Sequence, residues 1–213
     1  MPVTAKICGL STAAALGAAI AHGASHVGFV FFPASPRHVE PEQAAALGGQ
    51  VPDHVRTVGV FVDPDDTLVE RAVRGARLGA IQLHRTAPDR VADLRRRFGV
   101  ETWAAVAVKT RADLAAAQAF AGAADRLLYD AKTPAGAALP GGMGVRFDWR
   151  LLDGFRHPLP WALSGGLDPG NIAEAAERTG ARLVDVSSGV ESAPGVKDVD
   201  KITAFLQRIA QLA

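Results

Sequence analysis

The sequence has a single cysteine, Cys8, among its 213 residues. A disulfide within the chain is therefore excluded, and one thiol cannot build a cysteine-based metal site. Excess charge of either sign is missing as well. The formal net charge is +1, which leaves no electrostatic footprint for nucleic acid or for a membrane surface as partner. Long hydrophobic runs are absent, and no apolar stretch approaches the roughly 20 residues that a bilayer-spanning helix needs. The opening residues Met1-Pro2-Val3-Thr4-Ala5-Lys6 lack a charged segment followed by a long apolar one, so they do not read as a secretory signal. A reducing, cytoplasmic setting is the expectation. Aromatic residues are few, at 6%, while hydrophobic residues as a whole reach 48%. The core must then be mostly aliphatic, with abundant Ala favouring helices. The basic cluster Arg85, Arg90, Arg95, Arg96 and Arg97 is interleaved with Asp89, Asp93 and Glu101 and reads as a solvated helix face.

What is present is a strict alternation. Short β-branched or apolar runs predict strands at Thr4–Cys8, His26–Phe31, Arg56–Val62, Ala80–His84, Thr102–Val108, Arg126–Tyr129, Trp161–Leu163 and Leu183–Val186. Between and after them, helices are predicted at Thr12–Ala21, Pro41–Leu47, Asp65–Ala76, Pro88–Phe98, Ala112–Phe120, Asp148–Leu152, Pro169–Thr179 and Val199–Leu212, the fifth and sixth looking short or irregular. Strand, helix, strand, helix from end to end is the signature of parallel βαβ units. Strands such as "VGFVFF" and "VGVFV" are apolar on both faces, as in a sheet covered on both sides or closed into a barrel. The expected fold is a single-domain α/β protein, a (β/α)8 TIM barrel, slightly shorter than the usual ~250 residues. A doubly wound open sheet is the alternative, but "CGLSTAAAL" after the first strand lacks the glycine pattern of a dinucleotide-binding turn.

In such a barrel the active site lies at the C-terminal ends of the strands. Polar and glycine residues collect there: Cys8-Gly9, the loop "FPASPRHV" with Ser35, Arg37 and His38, then His84, Asp130, Ser164-Gly165-Gly166 and Ser187-Ser188-Gly189. Gly165 and Gly166 stand just before a helix expected near Asp168-Pro169, and Ser188 and Gly189 hold the matching position one unit later. Glycine turns let backbone N–H groups approach a phosphate, and the loops after the last two barrel strands are a frequent phosphate site. Ordinary turn glycines are the other reading. Cys8 is either a small core residue or a thiolate base able to remove a proton from carbon. Lys6 shares its strand face and sits deeper, where an ion pair is plausible. Asp130 follows the apolar run "RLLY" and is either a cap or a partner of Lys132, or a general acid kept protonated by burial. Asp185, inside a strand, reads as a structural acid. Arg37 is either a solvated arginine or a fork for a carboxylate or phosphate. His84 either lines the pocket or makes a structural hydrogen bond. The glycine-containing stretch Ala131–Arg146 either folds over a ligand or is a plain surface loop.

The segments "KICGL" at 6–10, "FFPASPRHV" at 31–39, "VGVFV" at 58–62, "QLH" at 82–84, "LLYD" at 127–130, "GGMGVRFDW" at 141–149, "LSGGLDPGN" at 163–171 and "VDVSSGVESAPGVKD" at 184–198 together resemble the successive signatures of the phosphoribosylanthranilate isomerases. Departures are Arg85-Thr86, where the family usually has Gly and acidic residues, and Met143, where it often has Thr. The resemblance implies an Amadori rearrangement in tryptophan biosynthesis, from N-(5-phosphoribosyl)anthranilate to 1-(2-carboxyphenylamino)-1-deoxyribulose 5-phosphate. It implies Asp130 as general acid, Cys8 as general base, Arg37 facing the anthranilate carboxylate, and His84 in the substrate pocket. The phosphate would lie on the turns at Gly165-Gly166 and Ser188-Gly189. No cofactor or metal is implied, and the chain would act as a monomer or a homodimer on a small phosphoribosyl substrate. A related phosphosugar barrel and a phosphometabolite-binding protein without catalysis are the rival readings.

Overall fold

A computed structural model describes residues 2–133 and 141–212. Eight parallel strands close into a barrel in sequential order: β1 Thr4–Cys8, β2 His26–Phe31, β3 Arg56–Val62, β4 Ala80–His84, β5 Glu101–Val108, β6 Arg126–Ala131, β7 Trp161–Leu163 and β8 Leu183–Val186. The ring is sealed where Thr4 to Ile7 of β1 pair with Leu183 to Val186 of β8. The helices are α1 Ala13–Ala21, α2 Pro41–Gly48, α3 Asp66–Gly75, α4 Pro88–Phe98, α5 Arg111–Ala115, α6 Ile172–Thr179 and α7 Val199–Ala210. Their starts are written locally. Thr12 and Asp65 accept the Ala15 and Leu68 amides at 3.3 and 2.8 Å, and α2 and α4 open on Pro41 and Pro88, whose missing N–H costs nothing there.

The barrel interior is layered. Val58, Ala80, Trp103, Leu128, Ala162 and Leu183 form a small apolar cluster of their own, apart from the main core between strands and helices. Alternation along each strand places the next inward residues one layer up. Here the buried Lys6 and Asp185 meet across the β1–β8 seam. The rim layer carries Cys8, Val30 and Val60 with His84, Asp130 and Ser164, all buried. An apolar floor thus supports a polar mouth.

The fifth and sixth helices are short and irregular, as expected, and the start of α6 needs correction. The fifth crossover is the single turn α5 continued as a 3-10 turn, Ala116–Phe120. The sixth is a 3-10 turn, Trp149–Leu152, where Asp148 turns back to accept the Arg150 amide at 3.0 Å. Finally, α6 starts at Ile172 rather than at Pro169, because Asp168 Oδ1 takes the Gly170 and Asn171 amides at 2.8 and 3.0 Å and holds an extra turn ahead of the helix. Ala131 ends β6 instead of opening a loop, and residues 134–140 of the glycine-containing stretch lie outside the described residues. Arg85 has φ +52°, a left-handed backbone that glycine would enter without steric cost.

Candidate active site

One pocket opens at the C-terminal mouth of the barrel, and Cys8, Arg37, His84, Asp130, Gly165, Gly166 and Ser188 all line it. Gly189 does not. It sits beneath the turn, where an added Cβ would collide with the carbonyl oxygen of Leu167. The packing of the β8 turn on the β7 turn is what demands glycine there. Gly166, at φ +63°, is required twice: by its backbone and because a Cβ would meet Arg146 and the Gly144 carbonyl. Ser188 opens a 3-10 turn, Ser188–Val190, so its N–H and that of Gly189 have no partner within the turn. The α6 N-terminus does not adjoin Gly165-Gly166, as the sequence suggested, since the Asp168 turn intervenes.

Asp130 ends inward on β6, 7% exposed. Its Oδ1 accepts the amide of Ala131 at 2.9 Å. Gly141 and Gly165 flank the carboxyl so closely that a Cβ on either would press on it. Burial, and next the negative charge of Asp185, push its pKa up to about 7. Its partner is not Lys132, which pairs with Asp113 at 2.8 Å. The pKa lift has a stability consequence with a definite sign. A raised carboxyl favours the folded state below its ordinary value of 3.8, and that contribution is lost as the pH climbs toward about 7. The Asp130→Asn variant has no such loss. Its melting temperature relative to wild type should therefore be higher at about pH 8 than at about pH 4. Parallel thermal melts at the two pH values would check this, and an equal difference at both would contradict it.

Cys8 ends β1 opposite Gly28 of β2. Burial pushes its thiol up, Lys6 pulls it down and Asp185 pushes it up again, with a net rise. Such a thiol is scarce as thiolate but strongly basic once ionised. His84 meets Gln82 at 2.8 Å through its Nε2. Burial, with Lys6, lowers its pKa to about 4, so the ring is neutral near pH 7. The neutral Nε2 then accepts from the Gln82 amide, which leaves Nδ1 carrying the proton. Gln82 Oε1 is buried without a partner among the described residues.

Arg37 is not a solvated arginine. It is 5% exposed, donating from Nε to Glu191 Oε1 at 2.7 Å, from Nη2 to Glu191 Oε2 at 2.8 Å and from Nη2 to the Gly142 carbonyl at 2.9 Å. None of these bonds uses Nη1. Glu191 also receives Lys197 Nζ at 2.6 Å. Burial pushes the Glu191 carboxyl up, but Arg37 and Lys197 outweigh it and hold the group below the usual carboxylate range. Lys197 donates further to the Ser187 carbonyl at 3.0 Å. Sequence reading singled out neither Glu191 nor Lys197. A signal was available: Pro194-Gly195 between them marks a turn, and the hairpin strands β9 Glu191–Ala193 and β10 Val196–Lys197 bring the two charges together.

Residues 5–208 match the family described as N-(5'phosphoribosyl)anthranilate (PRA) isomerase. The N-(5'-phosphoribosyl)anthranilate isomerase of Zymomonas mobilis subsp. mobilis is 55% identical over 214 aligned positions, covering 100% of both chains. The phosphoribosyl anthranilate isomerase structure from Thermotoga maritima superposes with a TM-score of 0.88 at 33% identity, over 99% of this chain and 100% of the other. A structure of a phosphoribosyl anthranilate isomerase in complex with reduced 1-(o-carboxyphenylamino)-1-deoxyribulose 5-phosphate gives 0.86 at 32% identity with the same coverage. The closed eight-stranded barrel, its polar mouth and these matches lead to one conclusion: the chain belongs to the N-(5'-phosphoribosyl)anthranilate isomerase family, a family of tryptophan-biosynthesis enzymes.

Proposed function

We propose that Cys8 and Asp130 carry out, as general base and general acid, the isomerisation for which the family is named. The observation that supports this most directly is the protonation of Asp130: a carboxyl with a pKa of about 7, at the rim of the same pocket as a thiol, can give up a proton near neutral pH. Asp130 protonates the furanose ring oxygen of N-(5'-phosphoribosyl)anthranilate. The C1–O bond breaks, and the anthranilate nitrogen takes the developing positive charge as a Schiff base. Thiolate at Cys8 then removes the proton from C2, and the electron pair moves through C1 onto the nitrogen to give an enolamine. Tautomerisation delivers the ketone, 1-(2-carboxyphenylamino)-1-deoxyribulose 5-phosphate. The substrate's own nitrogen is the electron sink, so the sequence of steps closes without another reactant. Each proton transfer contributes about 10²–10⁴-fold.

The remaining residues bind. Arg37 faces the anthranilate carboxylate through the Nη1 edge that its bonds to Glu191 and Gly142 leave unused. Neutral His84 offers Nδ1–H as a donor to substrate. The turns at Gly165-Gly166 and Ser188-Gly189 hold the phosphate through backbone N–H groups. Following the loss of substrate fluorescence tests the activity and separates it from both rivals. A chain that binds phosphosugars without turnover, or that turns over another phosphosugar instead, would overturn the reading.

The glycine turns carry their own expected result. Gly166→Ala and Gly189→Ala should each weaken binding of inorganic phosphate and lower thermal stability, since a Cβ at Gly166 meets Arg146 and the Gly144 and Val145 carbonyls on a left-handed backbone, and one at Gly189 meets the Leu167 carbonyl. Calorimetric titration of phosphate, with a melting curve for each variant, reads both effects. Unchanged phosphate affinity would move the anion site away from these turns.

A further inference from the structure

Directly below the rim lies an ion pair whose partners are almost completely shielded from water. Lys6 Nζ donates to Asp185 Oδ1 at 2.8 Å, with side-chain exposures of 0% and 5%. Such a pair must repay a large desolvation penalty on both ions, and apolar replacements are often as stable, so stability alone is a poor reason for it. Its placement suggests another. Lys6 and Cys8 point inward from the same strand, and a Cβ at Gly28 would lie 3.1 Å from both Cys8 Sγ and Lys6 Cε. On the other side of the pair, Asp185 Oδ2 accepts the Ser164 hydroxyl at 3.2 Å. A polar cluster of Lys6, Asp185 and Ser164, from β1, β8 and β7, is thus joined by hydrogen bonds, and Asp185 and Ser164 line the same pocket as Cys8 and Asp130.

We propose that the buried Lys6–Asp185 pair is a positioning device that sets how readily base and acid ionise: Lys6 favours the Cys8 thiolate, while Asp185 opposes it and keeps the proton on Asp130. The inference rests on the assignment of Cys8 and Asp130 as base and acid. The other charges near the two groups are accounted for. Lys197 acts on Cys8 from the β9–β10 hairpin but is itself held by Glu191. Arg37 is also held by Glu191, and His84 is neutral. That leaves Lys6 and Asp185 as the opposing pair, acting on both reacting groups with opposite sign.

Because Cys8 is the chain's one cysteine, its ionisation can be read directly. Thiolate ultraviolet absorbance is titrated for wild type and for Lys6→Met, Lys6→Arg, Asp185→Asn and the double variant Lys6→Met/Asp185→Asn, each corrected by the same protein carrying Cys8→Ser. At a fixed pH below the thiol pKa, Lys6→Met should hold about tenfold less thiolate than wild type, and Asp185→Asn should hold more, by a smaller factor, because Lys6 acts on the thiol more strongly than Asp185 does. The double variant should fall between them, and Lys6→Arg should stay near wild type. In Asp185→Asn the alkaline limb of the kcat/KM profile should also move to lower pH, as Asp130 releases its proton sooner. If either single variant leaves a buried charge that prevents folding, the double variant, which leaves none, still has to show less thiolate than wild type. Coincident titrations, or Lys6→Met and Asp185→Asn moving the thiol in the same direction, would overturn the proposal. Wild-type turnover in Cys8→Ser or Asp130→Asn would instead overturn the acid–base assignment, and the thiolate ranking reports independently of turnover.

Discussion

Serine in place of Cys8 should fold as the wild type does and lose about 10²–10⁴-fold in turnover. The two side chains differ by one atom, and the position is 6% exposed against Val30 and Val60, so the packing change is small. The chemical change is large. A hydroxyl near neutral pH has almost no ionised fraction, even compared with a thiol raised by burial. Loss of substrate fluorescence gives turnover, and a melting curve gives stability. A variant with near-wild-type turnover would make Cys8 a core residue. A variant that lost activity only because it unfolded would show it in the melt.

Asp130→Asn and Arg37→Ala should fail in different ways. Protonating the ring oxygen is a task of the ring-closed substrate alone, so Asp130→Asn should cut kcat by about 10²–10⁴-fold. Its product affinity should change little, because the amide oxygen can still accept the Ala131 N–H. The anthranilate carboxylate is present in substrate, intermediate and product. Arg37→Ala should therefore weaken product binding by about 2–5 kcal/mol if the charge pair is desolvated, with a further loss of kcat if the substrate is no longer oriented. Lys at position 37 should restore part of this, since an ammonium cannot reach Glu191 with two nitrogens and the ligand with a third. Titrating the reduced product analogue into each variant decides between the roles. Equal losses of affinity would merge them, and a loss in Asp130→Asn alone would exchange them.

Arg37 shows why part of the site was legible in the sequence and part was not. Its type and its place in the loop after β2 marked it as a fork for an anion. What orients that fork is Glu191, 154 positions away, and no local pattern connects the two. The same holds for Asp185, which reads in isolation as a structural acid but acquires an electrostatic neighbourhood once β8 closes on β1. His84 could be read either way from the sequence, and the structure makes it both a pocket residue and a hydrogen-bonded one.

Local pattern by itself determined the alternation of strands and helices, the parallel barrel, and the strand ends where polar residues collect. These follow from side-chain periodicity, caps and turn residues, which act over a few positions. Helix starts were least secure where side chains compete for backbone amides, as at Asp148 and Asp168. Tertiary structure alone decided which charges pair, that Gly189 answers to the Leu167 carbonyl rather than lining the pocket, and that burial lifts the Asp130 carboxyl to about 7. Those outcomes depend on desolvation and on charges from distant strands, and neither exists until the ring has closed.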